Sequence, residues 1–169
     1  MNAIFKRKSI RKYLNKSVDK ETLIHLCYAA MQAPSAHNTR PWQFLVIDDV
    51  NMISKVSTFS PYATFAKQAP ALIIVLLDKN KVSDKHTKWV QDLSAATQNI
   101  LLELVDTGLG GCWLGLYPDE KRMENVSSMC NLPPHIVPFS VISLGYPETE
   151  YHNVDKKDAH LIHFNSLTD

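Results

Sequence analysis

With 169 residues, 45% of them hydrophobic and 21% charged, the chain has ordinary globular composition and length enough to bury a core without disulfides or a structural metal. Eighteen Lys and Arg against 17 Asp and Glu leave a formal charge of +1, which excludes the broad electrostatic footprint of a nucleic-acid or anionic-membrane binder. Cys27, Cys112 and Cys130 form no CxxC pair and read as reduced thiols, and the longest apolar run, Ala69 to Leu77, is broken by Pro70 and too short to span a bilayer, so the expected address is the cytoplasm.

Residues 2–8 are expected as a short helix that delivers Arg7-Lys8-Ser9-Ile10-Arg11-Lys12-Tyr13, four cations around one hydroxyl. If residues 7–11 continue as a helical turn, Arg7 and Arg11 project to one side, and with Ser9 they would grip a phosphate or a dianionic ring edge. The plainer reading of this run is a solvated charged face. Asp19 is a plausible N-cap for a helix over about 20–32, with Leu23, Leu26, Cys27 and Ala30 on its apolar stripe. Cys27 is therefore expected in the core and not as a nucleophile. There follows Ala33-Pro34-Ser35-Ala36-His37-Asn38-Thr39-Arg40-Pro41-Trp42, a polar loop bracketed by two prolines that should hold one shape. It leads into a strand over 42–48, a short helix over about 49–58 and an irregular stretch containing Pro61-Tyr62.

Ala71 to Asp78 is a continuous apolar run without alternation, the pattern of a central strand covered on both faces. A long helix is expected from about His86 to Thr107, stopped by Gly108, with an apolar stripe wide enough to suggest an oligomer contact, the safer reading being a long core helix. Gly108-Leu109-Gly110-Gly111-Cys112-Trp113-Leu114-Gly115 permits close backbone approach to a flat ligand or another chain, but has the spacing of neither a P-loop nor a dinucleotide fingerprint. Asp119 caps a helix through about Cys130, and Phe139 to Leu144 alternates as a strand ending at the turn Gly145-Tyr146-Pro147. The polar tail carries Lys156-Lys157 and then Leu161-Ile162-His163-Phe164, a docked strand or an arm over a partner.

Protein-borne catalytic groups are scarce. The seven histidines show neither HExxH nor zinc-finger spacing, no serine sits in a GxSxG elbow, and the carboxylates are dispersed. This pattern favours a cofactor that brings its own chemistry to a protein that positions it.

Four segments, Arg7 to Tyr13, Ala33 to Phe44, Gly108 to Gly115 and Leu144 to Pro147, resemble the nitroreductase family in order and spacing. The resemblance implies an α+β fold with a central, mainly antiparallel sheet flanked by helices, one FMN-binding domain over residues 1–169, and an intertwined homodimer with FMN at its interface. It implies that Arg7, Lys8 and Ser9 hold the phosphate and ribityl end and that Arg11 lies at the pyrimidine edge. Pro34, Ser35, Ala36 and Asn38 would contact the isoalloxazine from the partner subunit. Cys112, Trp113, Leu114 and Gly115 would lie near the reactive ring nitrogen, and the helix 86–107 would be the dimer core. The tail should supply a cation to the phosphate; the last arginine is Arg122, so Lys156 or Lys157 takes that role. The implied activity is hydride transfer from NADH or NADPH, with ping-pong kinetics, to a small-molecule acceptor such as a nitroaromatic or quinone. A cation at Arg11 would raise the flavin potential by offsetting charge on the reduced ring. The alternatives are a non-catalytic flavin-binding or redox-sensing module, or a specialised flavin reaction such as reductive dehalogenation. The connection between Trp113 and Asp119 is brief, so a covering segment over the acceptor pocket would be reduced.

Overall fold

The computed structural model describes residues 3–83, 87–150, 152 and 156–167. Its centre is a four-stranded antiparallel sheet built from β1 (Trp42–Ile47), β2 (Ala71–Asp78), β3 (Gly110–Gly115) and β4 (Ile136–Gly145), in the order β1-β2-β4-β3. All eight residues of β2 are buried. Ala71, Ile73, Val75 and Leu77 point into one apolar layer and Leu72, Ile74 and Leu76 into the other, so the unbroken run reports two covered faces. Phe139 has no partner in the β2–β4 register, and this bulge lets both Phe139 and Ile142 face the same layer.

The first layer is covered by α2 (Lys20–Met31) and α4 (Trp89–Asp106), with α1 (Ala3–Lys6) packed on α4. The second is covered by α3 (Val50–Val56), α5 (Glu120–Met129) and the segment Pro61–Gln68. Asp19, Asp49 and Asp119 cap α2, α3 and α5 by accepting the N–H groups of Thr22, Met52 and Arg122 at 2.8, 2.8 and 3.1 Å. At the end of α4, Gly108 takes φ +73° while Leu109 N–H bonds Leu104 O at 2.7 Å and Gly108 N–H bonds Val105 O at 3.3 Å. This is the Schellman closure that a glycine after an apolar stripe announces.

Four expectations change. The glycine-rich run forms a strand, β3, because close neighbours and not side-chain propensity decide its path: a Cβ on Gly111 would lie 2.6 Å from Leu104 Cδ1 and 2.8 Å from Ser143 O. Residues 61–68 form a 3-10 segment started by Pro61 and the Ser60 cap, with Ala63 and Ala66 buried at the three-residue repeat. The wide stripe of α4 is consumed within one chain, since Leu93, Ala96, Ile100, Leu101, Leu104 and Val105 are all buried there; the expected first residue, His86, lies outside the described residues. In the described part of the tail, Ala159–Leu161 form a short 3-10 turn, and Leu161, Ile162 and Phe164 are exposed. Among the described residues, no helix is long and apolar enough to cross a membrane.

Candidate functional site

The cationic N-terminal segment is not helical beyond Lys6. Ser9 bridges Gly111 in parallel, Ile10 N–H bonds Gly111 O at 2.9 Å, and Leu14 N–H bonds Tyr146 O at 2.8 Å, so residues 7–14 run extended beside β3 and the end of β4. The buried side chains of Ile10 and Tyr13 override the local tendency of the charged run to wind. Tyr13 is fixed at its far end, its hydroxyl meeting Ile10 O at 2.8 Å, Ser143 O at 3.1 Å and Ser143 Oγ at 2.8 Å. The i, i+4 geometry expected for Arg7 and Arg11 is thus wrong.

The two arginines nevertheless converge. Burial pushes the Cys112 thiol above its ordinary pKa, against the opposing pull of the Arg11 charge, a hydrogen bond from the Ser9 side chain and the Arg7 charge. Burial thus holds Cys112 toward its neutral form, next to the Gly111 that Ser9 bridges. Lys8 turns away and donates to Glu150 O at 3.0 Å. Arg7 lines a cleft of about 230 Å³ with Ile4, Phe5, Lys156 and Lys157, which brings the tail lysines to the same place as the arginine. Arg11 lies over the Phe65 ring with its guanidinium carbon 5.9 Å from the centroid.

β3 is an edge strand: β4 pairs with one side, and on the other, among the described residues, only the Ser9–Ile10 segment meets it, at Gly111. Among the described residues no strand covers the outer side from Cys112 to Gly115, which leaves backbone groups other than Gly115 O for a ligand. Trp113 and Leu114 are half-buried, Gly115 is exposed, and Arg122 Nη1 donates to Gly115 O at 3.3 Å.

The proline-bracketed loop is held by its own polar groups. Ser35 O accepts Asn38 N–H at 2.9 Å, Ser35 Oγ accepts Arg40 N–H at 3.0 Å, and Asn38 Oδ1 accepts Arg40 Nε–H at 2.8 Å. Ala36 N–H donates to Asp92 Oδ1 at 2.9 Å, tying the loop to the first turn of α4. His37, Asn38 and Arg40 take φ of 54°, 55° and 46°, left-handed values that non-glycine residues adopt only where surrounding contacts over-determine them. Pro34 and Asn38 are exposed, and Ser35 and Ala36 half-buried.

The structure brings together Arg7, Ser9, Arg11, Cys112, Lys156 and Lys157, and leaves the Pro34–Asn38 loop apart. From Asp92, which holds the loop, to Leu104, which covers Gly111, α4 advances twelve residues, about 18 Å. Two residues that shape the site were not singled out from the sequence. Asp92 carried a signal, being an acid beside the apolar stripe of α4; Phe65 acts through a contact that no local pattern encodes. Cys27 lies in the core, where burial pushes its pKa up to about 11, and burial also raises that of Cys130.

The chain matches the model of the nitroreductase family over residues 4–60 and 59–146. It is 42% identical over 163 residues to a protein of Methanothermobacter thermautotrophicus provisionally named NADH dehydrogenase/NAD(P)H nitroreductase, covering 96% of this chain and 85% of the relative. The crystal structure of a provisionally named NADH oxidase from Clostridium acetobutylicum superposes with a TM-score of 0.93 at 46% identity, covering 97% of this chain and 99% of the other. An FMN-dependent nitroreductase from Clostridium difficile gives a TM-score of 0.88 at 30% identity, over 98% and 99% of the two chains.

Proposed function

Because the chain belongs to the nitroreductase family, we propose that it is an FMN-dependent oxidoreductase that takes hydride from NADH or NADPH and reduces nitroaromatics, quinones or related electron-poor acceptors. The observation that carries this reading is the bridge from Ser9 to Gly111, which sets the cationic segment along an open strand edge beside Cys112, with Lys156 and Lys157 across a cleft from Arg7. That donor set suits a ligand with a phosphate at one end and a planar, acceptor-rich ring at the other.

FMN, when bound, supplies the hydride chemistry, and no side chain is required as the carrier. Arg7 with Lys156 and Lys157 would neutralise the phosphate and Ser9 would hold that end, whereas Lys8, expected there from the sequence, is turned to Glu150 O and is left out of this set. Arg11, steadied on Phe65, sets a positive charge at the pyrimidine edge and favours the reduced state. The backbone from Cys112 to Gly115 would hold the ring, and Pro34, Ser35, Ala36 and Asn38 would close it from a second copy. Donor and acceptor use one place in turn, which gives ping-pong kinetics.

Distance supports a second copy. With about 18 Å of α4 between the loop and Gly111, the two halves of one chain do not meet on a single ring. A two-fold, antiparallel pairing of the α2–α4 faces would set the loop end of one α4 against the Gly111 end of the other. That face carries Ile24, Tyr28 and Met31 exposed at i, i+4 and i+7, beside a groove of about 440 Å³ lined by His25, Gln32, Asn99 and Leu102. The exposed Leu161, Ile162 and Phe164 suit an arm laid over the partner. The homodimer occupies the cytoplasm, in keeping with three free thiols.

The test is a visible absorbance spectrum of the purified protein before and after anaerobic NADH or NADPH, with sedimentation on the same sample. Flavin bands that bleach on a dimer support the proposal. Absence of flavin after reconstitution, or a flavin-loaded monomer, contradicts it.

A further inference from the structure

Arg40 is exposed, yet it is held in place. Its Nε–H donates at 2.8 Å to a neutral oxygen two residues away, Asn38 Oδ1. Its N–H is held by Ser35 Oγ at 3.0 Å and its carbonyl accepts from Lys81 Nζ at 3.4 Å. The residue is thus fastened through its amide, its carbonyl and its side chain, with φ +46° beside Asn38 at φ +55°. A guanidinium has donors and no acceptor, so the carboxamide atom facing it must be the oxygen. The amide orientation of Asn38 is thereby settled by chemistry: oxygen toward Arg40, NH2 away from it.

We propose that Arg40 is a positioning residue that locks the Asn38 carboxamide so that the loop offers its NH2 group, a hydrogen-bond donor, to the ligand. This rests on the reading that the loop meets the flavin. The carbonyl oxygens and N1 on the pyrimidine side of an isoalloxazine are acceptors, and they gain electron density on reduction. A fixed donor favours that edge; a freely rotating carboxamide would present its oxygen part of the time and repel it. Arg40 therefore acts through hydrogen-bond geometry, and its charge is incidental to the role.

The distinction is testable because glutamine carries an N–H donor at the same number of bonds from Cα as Arg Nε, without the charge, whereas methionine matches the length and lacks the donor. All three are unbranched at Cβ and meet the same backbone preference at φ +46°. FMN affinity is measured by fluorescence titration of the reconstituted protein, and the midpoint potential by dye equilibration, with circular dichroism confirming the fold of each variant. Arg40→Gln is expected to keep the dissociation constant within about twofold of the parent, and Arg40→Met to raise it about fivefold and lower the potential. Asn38→Ala should weaken binding similarly, and adding Arg40→Met to it should change nothing further. Equal losses in Arg40→Gln and Arg40→Met would assign the effect to charge and overturn the proposal. So would an unchanged Arg40→Met, or additive losses in the double variant. If Asn38→Ala itself leaves affinity and potential unchanged, the placement of the loop against the flavin falls, and the role of Arg40 falls with it.

Discussion

Gly111→Ala isolates the contact on which the cationic cluster depends. The added methyl would lie 2.6 Å from Leu104 Cδ1, 2.8 Å from Ser143 O and 3.3 Å from Ile142 Cγ2. Leu104 and Ile142 are fully buried, and the carbonyl belongs to the strand paired with β3, so no neighbour yields freely. Overpacking of this kind costs about 1–3 kcal/mol, and a clash with backbone belongs at the upper end. For a chain of this size about 3 kcal/mol lowers Tm by roughly 6–12 °C. Gly115→Ala is the matched control, since nothing lies within 4 Å of a Cβ there, and it should stay within about 0.5 kcal/mol of the parent. Urea unfolding at fixed protein concentration, without added FMN, separates packing from cofactor linkage. A Gly111→Ala protein as stable as the parent, or a Gly115→Ala protein equally damaged, would refute the assignment of β3 packing to this one missing side chain.

Tyr13→Phe removes a buried hydroxyl and leaves Ser143 Oγ and two carbonyls short of a partner, so a loss of about 1–3 kcal/mol is expected; a change under about 0.5 kcal/mol in chemical unfolding would show that water replaces it. Cys27 gives an alkaline signature. Its folded pKa, about 11, stands above the ordinary 9.0, so between those values the folded state holds a proton that the unfolded state has lost, and stability falls as pH rises through that window. Cys27→Ala should flatten the alkaline limb of a stability–pH profile, and an unchanged slope would remove Cys27 as its source.

The outline of the fold is legible because burial leaves its mark on composition. β2 has both faces covered and reads as one apolar run, and α4 ends where Gly108 can turn left-handed. β3 was hidden since three of its six residues are glycines, whose place is set by Leu104 and Ser143. The helical spacing of Arg7 and Arg11 misled for a related reason: a bridge from Ser9 to Gly111 outweighs a local preference. The stripe of α4 was read correctly as broad, but α1, α2 and the sheet account for its breadth within one chain. For the candidate site, residue types were readable and relations between them were not. Nothing in the order of Ser35, Asn38 and Arg40 announces that the last orients the second, and nothing in the sequence measures the 18 Å or so that separates this loop from Gly111.

The docking of Tyr13 on Ser143 also fixes an order of events during synthesis. The two residues are 130 positions apart, and the strand that receives the N-terminal segment, β3, is itself held by β4. The first residues to leave the ribosome are therefore among the last to find their place, since contacts of such long sequence separation form only after the intervening chain has closed. A nascent chain that lacks β4 carries Arg7, Ser9 and Arg11 with nothing to align them. A flavin held by these residues would accordingly be captured after sheet closure and could not seed it.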